Sequence, residues 1–149
     1  MTPVRVLVAD DHWRVRRAIR ELLSVRQDWE VVGEASDGEQ AVQLAIDLKP
    51  DLTILDAAMP PLNGIEAARQ IAGARPDTRI VVLTIYDDEE YVIEAFEAGA
   101  HAYVLKEAAD VDLVRAAETV LAGGRFVSSG VDYQLPPRYV PGNGTPTVR

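Results

Sequence analysis

Residues 4–11 read VRVLVADD, an apolar run from Val4 to Ala9 that stops in two adjacent carboxylates, Asp10 and Asp11. A short apolar run ending at charge has the form of a strand covered on both faces. Adjacent negative charges repel, and the end of a strand in the middle of a sheet is a costly place to leave them unpartnered. Positive charge is therefore expected nearby. Outward from this stretch the same unit recurs. Further strand candidates are Glu30–Ala35, Leu52–Leu55, Arg79–Thr84 and Ala102–Leu105, with helix-period segments in the gaps between them. Such alternation predicts an α/β fold, a parallel sheet wrapped by helices.

The helices are legible from their stripes and ends. Val15, Ala18, Ile19, Leu22 and Leu23 recur at a spacing that only a helix can use. Ser36 and Glu39 have the spacing of a capping box ahead of the stripe Ala41, Leu44, Ala45 and Leu48, and Pro50 stops that helix. Asn63 is placed to cap a third helix, a fourth follows the acidic run 87–90 and ends at Gly99, and a fifth spans Asp110–Ala122. One domain over residues 1–124 results. Residues 125–149, with Pro136, Pro137, Pro141 and Pro146, are expected to form a mobile tail or a fragment of an interdomain linker.

Composition narrows the function classes. A chain of 149 residues, 48% of them hydrophobic, holds one well-buried core. Its net charge of −9 argues against nucleic-acid or anionic membrane contact by the chain as a whole. Without cysteine there is no thiolate chemistry, disulfide or zinc-thiolate site. Acid arrives too early in the chain for a signal peptide and no apolar run approaches membrane-spanning length, so a cytoplasmic protein is expected.

Four strand ends carry polar residues: Asp10 and Asp11 after the first, Asp56 at the third, Thr84 at the fourth and Lys106 after the fifth. In an open α/β sheet the ligand site lies outside these ends, where the strand order reverses; in a flavodoxin-like order that point lies between strands one and three. Asp10, Asp11 and Asp56 would then share a pocket. A hard, oxygen-only cluster calls for a cation and points to Mg2+ in preference to zinc. Mg2+ also accepts phosphoryl oxygens, so the site suits phosphoryl chemistry. Asp56 would be the carboxylate nucleophile, Lys106 a point charge on the transferred group and Thr84 a hydroxyl donor to it. Lys106 is one of only two lysines, with Lys49, beside thirteen arginines. Taken singly, Asp11 reads as a helix cap, Asp56 as a loop acid and Thr84 as a strand residue; their joint placement favours a site.

These residues resemble the receiver domain of two-component response regulators, over about Val4 to Ser129. The resemblance rests on VADD, on LDAAMPPLNG with Asp56, Met59-Pro60 and Gly64, on VLTIYDDEEYV with Thr84, and on AGAHAYVLK with Tyr103 and Lys106. It implies a flavodoxin-like (βα)5 receiver, a five-stranded parallel sheet in order 2-1-3-4-5 with helices on both faces. It further implies transfer of a phosphoryl group from a sensor histidine kinase to Asp56. Mg2+ would be held by Asp11, Asp56 and the backbone carbonyl of Ala58, with Asp10 completing the pocket. Thr84 and Tyr103 would be the switch pair, the hydroxyl moving to the phosphoryl group and the ring turning inward. Ala58 and Tyr86 would flank the path of attacking water, a bulky Tyr86 slowing loss of the phosphoryl group. A phosphorylation-dependent homodimer is expected, through helices one and five or the face of helices four and five. The texture of 83–129 is similar to the subfamily whose output is a LuxR-type helix-turn-helix DNA-binding domain. No such domain follows in this chain, so a stand-alone receiver acting by protein contact is the alternative.

Other readings compete. A Mg2+-dependent aspartyl phosphatase uses the same cluster, but the position two beyond Asp56, where a second acid would protonate a leaving group, is Ala58. A receiver-like module that never takes a phosphoryl group would have no need of the acceptor residues. Met59-Pro60-Pro61 reads as a rigid turn, and Gly64 as backbone that must come close or take positive φ. His12, with only His101 as a second histidine, reads as a surface residue. Arg14, Arg16, Arg17 and Arg20 beside Trp13 form a basic face expected to dock an acidic kinase surface. Glu89, Glu90, Glu94 and Glu97 make the fourth helix a poor DNA contact.

Overall fold

The computed structural model describes residues 2–60, 62–131 and 133. In chain order the elements are β1 (Val4–Ala9), α1 (Trp13–Leu23), β2 (Trp29–Ala35), α2 (Gly38–Leu48), β3 (Leu52–Asp56), α3 (Gly64–Ala74), β4 (Arg79–Thr84), α4 (Glu89–Ala98), β5 (Ala102–Leu105), α5 (Ala109–Leu121) and β6 (Phe126–Val127). A single 3-10 turn, Lys106–Ala108, joins β5 to α5. All strand pairs are parallel, in order β2-β1-β3-β4-β5-β6.

Each inner strand is apolar on both faces because both are covered. Leu7, Ala9, Leu55, Ile80, Val82, Tyr103 and Leu105 pack with residues of α2, α3 and α4. Their strand neighbours Val6, Val8, Ile54, Val81, Leu83 and Val104 point the other way, onto Ile19 and Leu23 of α1 and Leu113, Ala116, Ala117 and Val120 of α5. Burial of each large aliphatic contributes about 1.5–3 kcal/mol, so the sheet is the stable platform on which the loops at its carboxyl ends are set.

The five expected strands and helices are present, with local corrections. The cap of α2 is Asp37, not Ser36: its carboxylate accepts from Gln40 N, while Gln40 Oε1 accepts from Ser36 N. Gln40 thus takes the place expected for Glu39, with its side chain reaching back to the residue before the cap. Asn63 caps α3 as expected, accepting from Glu66 N at 2.9 Å. α4 starts inside the acidic run, at Glu89, where negative charge suits the positive end of the helix dipole.

The larger correction concerns the segment from residue 125. It does not leave the fold at once. β6 pairs with the edge of β5, supplying partners for backbone groups that an open edge would leave bare. Ser128 N donates to the Tyr103 carbonyl at 3.0 Å and Leu105 N donates to Ser128 Oγ at 3.1 Å. Val131 is buried, and the Tyr133 ring lies 6.2 Å from that of Phe96 on α4. The four prolines that prompted the tail reading lie outside the described residues.

Candidate functional site

β1 and β3 are neighbours, so their ends deliver Asp10 and Asp56 side by side, and the residue after β5 brings Lys106 in from the other side. Asp10 and Asp56 are buried, 0% and 3% exposed, while Asp11 is open to solvent. One carboxylate oxygen from each of the three lies within 4.8 Å of the others. The Lys106 Nζ stands 3.1 Å from Asp56 Oδ1 and 3.4 Å from Asp10 Oδ2. The cation expected from the VADD stretch is therefore present, but one ammonium faces three carboxylates.

The imbalance shows in the titration of the groups. Burial, then the charge of Asp56, raise the Asp10 pKa against the opposing pull of the His12 N–H and Lys106. Burial alone would lower the Lys106 pKa, yet the hydrogen bond and charge of Asp56, with those of Asp10, outweigh it and the value is raised. Asp10 Oδ1 accepts from His12 N at 2.9 Å, whereas its buried Oδ2 has no hydrogen-bond partner among the described groups. A buried carboxylate oxygen whose only partner among the described groups is a 3.4 Å ion pair shared with Asp56, beside a third carboxylate, fits a hard divalent cation.

The acceptor loop is held by close packing. A Cβ on Gly64 would sit 2.0 Å from the Asp56 carbonyl oxygen, and one on Gly38 would sit 2.1 Å from the Leu62 carbonyl oxygen. Gly64 is thus needed for close approach and not for positive φ. Met59, expected only in a turn, is 0% exposed and is part of the core. Ala58 N donates to Asp56 Oδ1 at 3.2 Å.

Thr84 and Tyr103 meet through the backbone of Tyr86. Tyr86 N donates to Thr84 Oγ1 at 3.0 Å, and the Tyr103 hydroxyl donates to the Tyr86 carbonyl at 2.9 Å. The Tyr86 ring stacks on Tyr91 of α4 with centroids 4.6 Å apart. These groups line a cavity of about 260 Å³ beside Ala58 and Asn63. The Tyr103 ring is 1% exposed, so it already holds the inward position that the resemblance implied only for a phosphorylated state. Burial pushes its pKa up to about 12, which keeps the hydroxyl protonated as a donor.

The expected basic face of α1 is not one surface. Arg16 and Arg20 both bond Glu34, Arg17 pairs with Glu21 and Arg14 lies 5.4 Å over the Trp13 ring. His12 is exposed and outside the carboxylate cluster, 3.9 Å from Asp11. Sequence reasoning missed Arg16 as part of the site's surroundings; its partner Glu34 stands 18 residues away, and only the adjacency of β1 and β2 joins them.

The family profile described as Response regulator receiver domain matches residues 6–118. Transcriptional regulatory protein DegU of Brevibacillus brevis is 35% identical over 136 residues, which cover 91% of this chain and 58% of that protein. Oxygen regulatory protein NreC of Staphylococcus epidermidis is 38% identical over 138 residues, 92% of this chain and 63% of that protein. Among solved structures, a LuxR-family two-component response regulator from Aurantimonas sp. SI85-9A1 superposes with a TM-score of 0.83 at 36% identity, covering 87% of this chain and 93% of that one. The isolated REC domain of RcsB from Salmonella enterica serovar Typhimurium, in the presence of the phosphomimetic BeF3−, gives a TM-score of 0.80 at 28% identity over 87% and 96% of the two chains. The chain belongs to the response regulator receiver domain family of two-component systems. It spans less than two thirds of the length of these curated relatives. No described helix is long and apolar enough to cross a membrane.

Proposed function

We propose that this receiver accepts a phosphoryl group on Asp56 from a sensor histidine kinase in a Mg2+-dependent reaction. The observation that carries the reading is the clustering of three carboxylates within 4.8 Å of one another, two of which, Asp56 and Asp10, share the single ammonium of Lys106 at 3.1 and 3.4 Å. Asp10, Asp11 and Asp56, with the Ala58 carbonyl, would hold Mg2+. Once bound, the ion neutralises the cluster and stabilises negative charge on the transferred group.

In the transfer, an Asp56 carboxylate oxygen forms a bond to phosphorus as the bond from phosphorus to the kinase histidine nitrogen breaks. That nitrogen keeps the electron pair, and because the other ring nitrogen of the phosphohistidine carries a proton, the imidazole leaves neutral. Lys106 has its ammonium in place to offset charge on the phosphoryl oxygens. Thr84 is to donate its hydroxyl to one of them. Its oxygen now accepts from Tyr86 N, so a move toward Asp56 strips Tyr86 of that bond while Tyr103 still holds the Tyr86 carbonyl. The loop from β4 to α4 must then rearrange, which biases the face of α4, β5 and α5. Tyr86 and Ala58 border the approach of water and so set the lifetime of the phosphoryl group.

The names of the relatives support an output in transcription, through a LuxR-type DNA-binding domain on a longer chain, with phosphorylation favouring a homodimer and the protein working in the cytoplasm. A direct nucleic-acid contact by the receiver is disfavoured by its acidity. Intact-mass analysis with a small-molecule phosphodonor tests the reading. One phosphoryl group added with Mg2+, and absent without it or in Asp56→Asn, is expected. No adduct in folded protein would refute it.

A further inference from the structure

Arg16 is a partly buried cation that the phosphoryl reaction leaves unused. Its side chain is 16% exposed, against 71% for Arg17 one residue on, so it is turned inward from the helix surface. Its guanidinium spans two elements: Nε donates to Glu34 Oε1 on β2 at 2.8 Å, and Nη1 donates to the backbone carbonyl of Asp10 at 2.7 Å. Arg20 Nη1 takes the other oxygen of Glu34 at 3.0 Å. The carbonyl that Arg16 grips belongs to the peptide joining Asp10 to Asp11.

That peptide carries two of the three clustered carboxylates. Their mutual repulsion favours splaying of the short segment between β1 and α1, and any divalent cation would have to reverse that before binding. A planar guanidinium donating in two fixed directions opposes the splaying by tying the segment to β2. An ammonium has no such fork. We propose that Arg16 is a positioning residue for the divalent-cation site, holding Asp10 and Asp11 in register with Asp56 through the Asp10 carbonyl and Glu34. The inference rests on the reading of the cluster as a Mg2+ site, and its test separates the two.

Calorimetric titration of the purified protein with Mg2+ is the direct measurement, on wild type, Arg16→Lys, Arg16→Met and Arg20→Lys. Both Arg16 variants are expected to bind Mg2+ about tenfold more weakly. Arg20→Lys, which touches the same glutamate but not the Asp10 carbonyl, leaves the affinity unchanged. In phosphorylation by a small-molecule donor, Arg16→Lys shifts the Mg2+ concentration for half-maximal rate upward by the same factor, while saturating Mg2+ restores the wild-type rate. A role in folding alone would instead lower the melting temperature in EDTA and leave the Mg2+ affinity of the folded protein untouched; that result overturns the proposal. Equal affinity in all four proteins, with wild type binding Mg2+ and taking up a phosphoryl group, overturns it while the receiver reading stands. Absence of Mg2+ binding by wild type overturns both.

Discussion

At the amino end of the sheet, most charges and polar groups are answered locally, the buried Nε of Arg75 being an exception. Asp51 accepts from Arg5 N at 2.9 Å, Arg26 bonds Asp28 and Glu118, the buried hydroxyls of Thr53 and Thr78 share a hydrogen bond of 2.9 Å, and His101 Nδ1 accepts from Ile80 N at 3.0 Å. At the carboxyl end, 0% exposed Asp10 and 3% exposed Asp56 share a single ammonium with Asp11 clustered beside them, and one Asp10 oxygen has that ion pair but no hydrogen bond among the described groups. Both ends belong to the same strands, so secondary structure does not account for the difference. The amino end is arranged for stability. The carboxyl end holds excess negative charge that a cation from outside would relieve, which is why the proposed chemistry is placed there.

The largest test of the contrast is steric. Gly64→Ala drives a Cβ to 2.0 Å from the Asp56 carbonyl, and a loss of about 3 kcal/mol in urea unfolding is expected, with impaired phosphorylation. Gly73→Ala, where a Cβ meets nothing within 4 Å inside the same helix, is expected to gain about 0.5–1 kcal/mol. Equal effects at the two glycines would remove the claim that the acceptor loop is set by close approach.

Removing the ammonium comes next. Lys106→Met leaves two buried carboxylates facing each other, and a loss of about 2 kcal/mol at pH 7 without divalent cations is expected, recovered in part by adding Asp10→Asn. Lack of recovery in the double variant would contradict the account of the site as excess negative charge.

The amino end makes the opposite kind of prediction about pH. Burial, with the charges of Arg79 and Arg125, lowers the His101 pKa from 6.5 to about 4. The unfolded chain then binds the proton more tightly than the folded one, so stability is present above pH 6.5 and is lost as pH falls toward about 4. After discounting for partial solvent exposure the loss is about 2 kcal/mol, and His101→Asn should flatten that limb of a stability profile. An unchanged limb would locate the acid sensitivity elsewhere.

The smallest effect is at Asp10. Its raised pKa means that the folded protein binds the proton more tightly, so its ionisation costs stability as pH rises from 3.8 through the folded value. Asp10→Asn is expected to be more stable than wild type by about 1 kcal/mol at pH 7 in EDTA. Added Mg2+ should raise the melting temperature of wild type more than that of the variant. A destabilised Asp10→Asn would show that the carboxylate is held by the fold and not merely tolerated by it.

The strands and the helices were legible because doubly covered strands must be apolar throughout and the intervening helices must be striped, whereas the sheet order followed from the resemblance to receiver domains; the stretch from Val4 to Asp11 already contained both the strand and the anomaly at its end. The positions brought together at the carboxyl ends followed from the same pattern. What was not legible depends on pairings across the fold. Phe126–Val127 is two residues long and carries no periodicity, and the prolines downstream obscured it. The fates of the α1 arginines depend on Glu34, which only the placement of β2 beside β1 brings within reach. Ser36 and Asp37 are both competent caps with Glu39 and Gln40 three residues on, and backbone geometry chose the second. The inward Tyr103 ring follows from the hydrogen bond to the Tyr86 carbonyl, which residue type alone does not announce.

The claim on which the rest depends is that the excess charge at the carboxyl end serves Asp56 as the acceptor. Borohydride trapping after incubation with a phosphodonor and Mg2+, followed by peptide mapping, reads the acceptor directly, because reduction of an aspartyl phosphate leaves homoserine. Homoserine at position 56 and at neither Asp10 nor Asp11 is the result expected. Homoserine at either of those two positions, or at none in protein that binds Mg2+, would contradict the assignment.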